Sequence, residues 1–101
     1  MQPFNPRATM IKRSRQEIMV VLNAMYHIGP LDFEGIAQAL VHLELPDDEC
    51  VQRDLLYLAE KGYVTWANEK AYMPWSKREF KLTARGNEIA EKIDKDPALE
   101  P

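Results

Sequence analysis

Two stretches decide the fold: Asp54-Leu-Leu-Tyr-Leu-Ala-Glu-Lys-Gly-Tyr-Val64 and, about twenty residues later, Phe80-Lys-Leu-Thr-Ala-Arg-Gly86. Val51, Leu55, Leu58 and Ala59 recur at helical spacing and share one face. Gly62 then stands where a helix end tolerates a left-handed backbone. Residues 63–67 alternate and are rich in β-branched and aromatic side chains, which predicts a strand entered directly from the helix. Residues 79–83 read as a second strand with Phe80 and Leu82 on one side. Thr83 caps a last helix that turns Ile89, Ala90 and Ile93 inward. The pair describes a β-hairpin hung between two helices.

The elements upstream are helical. Ser14-Arg-Gln-Glu17 fits a capping box, in which hydroxyl and carboxylate satisfy orphan backbone donors reciprocally. Ile18, Val21, Leu22 and Met25 follow at helical spacing, and Gly29-Pro30 ends the helix. Met10 and Ile11 also want cover, which would carry that helix further upstream. Asp32 is the expected cap of a second helix, with Phe33, Ile36, Ala37 and Leu40 inside, Val41 alongside, and Leu31 and Ile36 placed as a hydrophobic staple. Pro46 breaks the chain, and Asp47 or Asp48 caps the third helix. Asn68-Glu-Lys70 is a candidate turn. Pro74 cannot donate to a ladder, so residues 71–78 are expected at an edge or in a long loop. The expected organisation is a flexible basic arm over 1–13, one domain over 14–95 and a disordered tail over 96–101.

The chain has 101 residues, one domain's worth. Its hydrophobic fraction of 46% and charged fraction of 29% are ordinary for a soluble globular domain. A lone cysteine, Cys50, excludes an internal disulfide framework and suits a reducing compartment. No run is long enough to span a membrane and the first residues carry no leader signature, so the expectation is a cytoplasmic protein. Net charge is −3, but the charge is segregated. Residues 1–16 carry Arg7, Lys12, Arg13 and Arg15 and no acid; residues 63–85 sum to +3; the segments between and after are acidic. Positive charge is thus confined to the arm and the hairpin.

The Leu-Leu-x-Leu-x-x-x-Gly-Tyr-Val and Leu-Thr-x-x-Gly junctions resemble those of the winged helix-turn-helix class, including MarR-like and PadR-like regulators. Size and layout are most similar to small winged-helix proteins of Mu-like prophages, in which a segment like Arg53-Asp-Leu-x-x-Leu-Ala-Glu-Lys-Gly62 precedes the wing and Leu82-Thr-x-Arg-Gly86 opens a short final helix. The resemblance covers residues 14–95. It implies a mainly α (α+β) winged helix with a three-helix core, a β-hairpin wing and a short C-terminal helix. It leaves function open, because fold-level analogy does not give one.

In such a fold the third helix enters the major groove. Its expected outward face is Glu49, Arg53, Tyr57 and Glu60, with Gln52 at the margin; Arg53 suits guanine and Gln52 adenine. Asp47, Asp48, Glu49, Asp54 and Glu60 outnumber the bases of this helix, and carboxylates facing phosphate repel it. Leu56 lies off the core stripe. The wing suits phosphate better, through Lys70, Lys77, Arg78 and Lys81, aided by Arg13 and Arg15 from the arm. The expectation is a double-stranded DNA-binding protein, a phage or prophage transcriptional regulator. The alternative is a protein-interaction module that does not bind DNA and docks through the acidic third helix or through the loop carrying Tyr72 and Trp75 as an exposed anchor, whereas Trp66 is expected beneath the hairpin. A homodimer through the terminal helix is compatible with either. His27, His42 and Cys50 lack metal-ligand spacing, and Ser14 and Ser76 have no base in register, so neither an enzyme nor a cofactor is expected.

Overall fold

The computed structural model describes residues 6–40, 48–68, 73–95 and 101. In chain order they form α1 (Pro6–Ala24), β1 (Leu31–Asp32), α2 (Phe33–Ala39), α3 (Asp48–Glu60), β2 (Val64–Trp66), a 3-10 turn at Trp75–Lys77, β3 (Glu79–Leu82) and α4 (Ala84–Lys95). The three strands form one antiparallel sheet in the order β1-β3-β2, with Leu31 opposite Phe80 and Val64 opposite Leu82. This is the expected three-helix core, hairpin and closing helix, with one addition. β1 is only two residues long, so no alternation could announce it; Phe80 and Glu79 across the ladder make it a strand.

The two junctions fold as their residues dictate. Gly62 has φ +80°, and the helix closes with the Tyr63 N–H on the Leu58 carbonyl and the Gly62 N–H on the Ala59 carbonyl, both at 3.0 Å. That is the paired bonding of a Schellman ending. Thr83 caps α4 by accepting from the Gly86 N–H at 3.0 Å, and the same hydroxyl donates to the Gly62 carbonyl at 2.6 Å. One threonine therefore ties the start of α4 to the end of α3. Asp32 caps α2 from extended backbone, accepting from the Gly35 N–H at 2.8 Å.

The core gathers one face of every element: Ile18, Met19 and Leu22 of α1; Phe33, Ile36 and Leu40 of α2 and its cap; Val51, Leu55 and Leu58 of α3; Val64, Phe80 and Leu82 of the sheet; Ala90 and Ile93 of α4. Full burial of each large aliphatic contributes about 1.5–3 kcal/mol. α4 also meets α1 through the Asn23 amide, which donates to the Asn87 Oδ1 at 2.6 Å.

Two expectations for the first helix are corrected. It begins at Pro6, so most of the supposed arm is helical. A proline opens a helix well because its missing N–H is one the first turn leaves unpaired anyway. Ser14 is therefore not a cap but a fully buried mid-helix residue. Its hydroxyl donates to the Asp54 Oδ2 at 2.7 Å, which rotates the inner face of α1 toward Ser14, Ile18 and Leu22 and leaves Val21 and Met25 half-buried. Val41, Pro46 and Asp47 lie outside the described residues.

Candidate nucleic-acid interface

The outer face of α3 carries Asp48, Glu49, Arg53, Leu56 and Glu60, all exposed. Gln52 is half-buried at its edge. Leu56 keeps 49% of its surface in solvent, as its place off the core stripe implied. Tyr57 departs from the expected outward face. It is half-buried and packed against the core, and its hydroxyl donates to the main-chain oxygen of Pro101 at 3.3 Å. The guanidinium of Arg15 lies 3.6 Å from the centre of its ring.

Asp54 is the larger departure. Counted from sequence among the acids of the helix surface, it is fully buried. A buried carboxylate needs charge and hydrogen-bond partners. Asp54 has three: Ser14 on Oδ2, and the Nε atoms of Arg15 at 3.1 Å and Arg53 at 3.3 Å, both on Oδ1. It therefore adds no repulsion at the surface of α3. The signal was available in retrospect. Asp54 sits three residues after Val51 and next to Leu55, on the inward side of the helix, where an acid calls for buried partners.

The wing is held by its own side chains. The Asn68 amide donates to the Lys77 carbonyl at 3.1 Å and accepts from the Glu79 N–H at 2.9 Å, bridging the two limbs of the loop. Trp75 is not an exposed anchor. Its ring sits 5.8 Å from Phe33, 5.4 Å from Trp66 and 6.0 Å from Phe80, centre to centre, and it packs against the core. Pro74 made burial of this segment look costly, but the 3-10 turn after it folds the indole back over the sheet. Trp66 does lie under the hairpin, 4.8 Å from Phe80.

Of the basic residues expected to meet phosphate, the structure separates two groups. Arg78 is half-buried, its guanidinium over both Trp66 (4.8 Å) and Trp75 (4.5 Å) and its Nε donating to the Met73 carbonyl at 3.1 Å. Arg15 is engaged by Asp54 and Tyr57. Contacts within the domain orient both side chains. Arg13, Lys77 and Lys81 are exposed, as is Arg53 in part. Lys70, Tyr72 and His42 lie outside the described residues.

His27 is exposed, with its ring edge-on to Tyr26, and Cys50 is half-buried at the start of α3. Among the described residues no three His, Cys, Asp or Glu side chains stand together as a metal site, and no helix is long and apolar enough to cross a membrane.

No protein-family model matches this chain, and no curated protein matches it in sequence. Among solved structures it is similar to a MarR family regulator from Neisseria meningitidis, with a TM-score of 0.56 and 21% identity over 81% of this chain and 54% of that one. The chain thus spans about half the length of that regulator. At this identity the likeness speaks for architecture, and it agrees with the order of helices and strands found here: the chain has a winged-helix fold.

Proposed function

We propose that this protein is a winged-helix regulator that binds duplex DNA, with α3 at the groove and the wing on the backbone. The observation that carries the reading is the placement of exposed positive charge. Lys77 and Lys81 stand exposed on the returning limb of the wing, at the 3-10 turn and on β3. Arg13 is exposed on α1, and Arg53 is partly exposed on the outer face of α3. Burial of Asp54 also removes one of the carboxylates that weighed against α3. The named function of the Neisseria protein supports a regulator, and the sequence resemblance to Mu-like prophage proteins supports a phage or prophage setting. Gln52 would supply limited base contact, and the wing most of the phosphate contact.

A second reading, a protein-interaction module, is favoured by Leu56, a large apolar side chain half-exposed amid Glu49 and Glu60. Fluorescence anisotropy of a labelled random duplex at low and raised salt separates the two. The DNA reading expects binding that weakens steeply with salt, and a Lys77→Ala/Lys81→Ala variant whose salt slope is shallower by about two. Arg78 is left intact in this test because it braces Trp66 and Trp75. No binding by the unaltered protein at low salt overturns the DNA reading.

A further inference from the structure

The geometry points to a two-arginine cradle for a DNA backbone phosphate at the α1–α3 junction, made by Arg15 and Arg53 and positioned by the buried carboxylate of Asp54. The inference rests on the DNA-binding reading and names a site within it.

Asp54 has more positive charge than its own neutralisation requires. One guanidinium balances one carboxylate, and Arg15 is well suited to do so. It comes from α1, it is only 22% exposed, and it ties two helices together. Arg53 has no such structural use. It is the residue next to Asp54 on the same helix, so its bond joins nothing that is not already joined. It remains 42% exposed. Yet its Nε is drawn to the same Oδ1 that holds Arg15. The result is two neighbouring guanidinium groups around one carboxylate, a net charge of +1 for these three groups.

The way the arginines are held leaves them able to bind. Each meets Asp54 through its Nε–H, and a guanidinium carries four further N–H donors on its two Nη nitrogens. The Arg15 guanidinium also rests over the Tyr57 ring, 3.6 Å from its centre. A flexible arginine loses side-chain freedom when it meets a ligand; these two are already oriented, so less is lost. Planar forks of this kind match the oxygens of a phosphate, and bonds between charged partners are shorter and stronger than neutral ones. With Nε engaged, Arg53 has its Nη edge for one group, which suits a phosphate at the border of the groove. Asp54 touches no ligand in this scheme and is a positioning residue.

The test measures duplex affinity and salt slope for the full chain and for Arg53→Gln, Arg53→Lys and Asp54→Asn, with folding of each checked by thermal melting. Arg53→Gln should bind about tenfold more weakly, with a salt slope shallower by about one, and Arg53→Lys should recover the slope but only part of the affinity. Asp54→Asn removes a negative charge, so simple charge counting expects tighter binding; a positioning role expects weaker binding with the slope retained. Arginine side-chain NMR should show the Arg15 and Arg53 Nε–H groups protected from exchange in the wild type, with Arg53 protection lost in Asp54→Asn. Because Arg53 is half-exposed, its variants fold even where Asp54→Asn does not. If the wild type binds duplex and Arg53→Gln binds with the same affinity and slope, the cradle is wrong while the DNA reading stands. If the wild type does not bind, both fall.

Discussion

Replacing Gly86 by alanine should destabilise this domain, against the direction that helix propensity gives. Gly86 is in the first turn of α4, and alanine there gains up to about 1 kcal/mol from propensity alone. A Cβ at Gly86, however, would sit 1.9 Å from the Tyr63 carbonyl oxygen and 2.8 Å from its carbon, whereas real side chains essentially never come within 3.0 Å. The obstruction is backbone, so no side chain can swing away. The Tyr63 oxygen is also held in place, accepting from the Thr83 N–H at 3.0 Å and, at 3.3 Å, sharing with the Gly62 carbonyl the one proton of the Thr83 hydroxyl. Moving it by about an ångström costs roughly 1–3 kcal/mol in overpacking, and weakening the two bonds costs about 1 kcal/mol each. Set against the propensity gain, the net loss is about 2–4 kcal/mol, a large part of a total stability of roughly 5–15 kcal/mol. Urea unfolding measures it directly, and in a thermal melt the midpoint should fall by at least about 10 °C. Gly35 is the internal control. It holds the same position relative to its cap, Asp32, but its added Cβ would meet only side-chain atoms of Asp32 and Leu31, at 2.9 Å. Gly35→Ala should therefore cost clearly less. A Gly86→Ala protein as stable as the parent would refute the close approach of α4 to the strand, and with it the account of how the two junctions lock.

Two further outcomes follow from the same contacts. Thr83→Ala removes both the α4 cap and the link to the Gly62 carbonyl and should cost about 2 kcal/mol in urea unfolding, with Thr83→Ser regaining most of it. Trp75→Ala should lose about 2–3 kcal/mol and much of the near-ultraviolet circular dichroism, since its ring contacts Phe33, Trp66 and Phe80; an unchanged spectrum would mean the loop is not folded back on the sheet.

What the sequence disclosed and what it hid divide along the range of the interactions. Gly62 and Thr83 were readable because their chemistry is local: a left-handed backbone and a first-turn cap are decided within a few residues, and both stand as expected. The apolar stripes of α2, α3 and α4 were readable because periodicity is local too. Ser14 misled for the same reason. Ser-x-x-Glu satisfies a local rule completely, so nothing in it hints that the hydroxyl is needed by an acid forty residues away. Asp54 misled in mirror image, since an acid among acids looks like solvated surface. Each of the two residues has an adequate explanation alone, and only the pair shows that both explanations fail. Arg15 and Arg53 inherit the error, because each was read as a free cation when its setting depends on Asp54. The consequence for function is specific. Charge counts along the chain placed the positive surface on the arm and the wing, but Arg78 braces Trp66 and Trp75, and Arg15 is tied to Asp54 and Tyr57. Among the described residues of the arm and the wing, exposed positive charge stands on Arg13, Lys77 and Lys81, with Arg85 beside the wing at the start of α4, and at the α1–α3 junction charge is organised by a carboxylate that the same counts entered as a repulsive one.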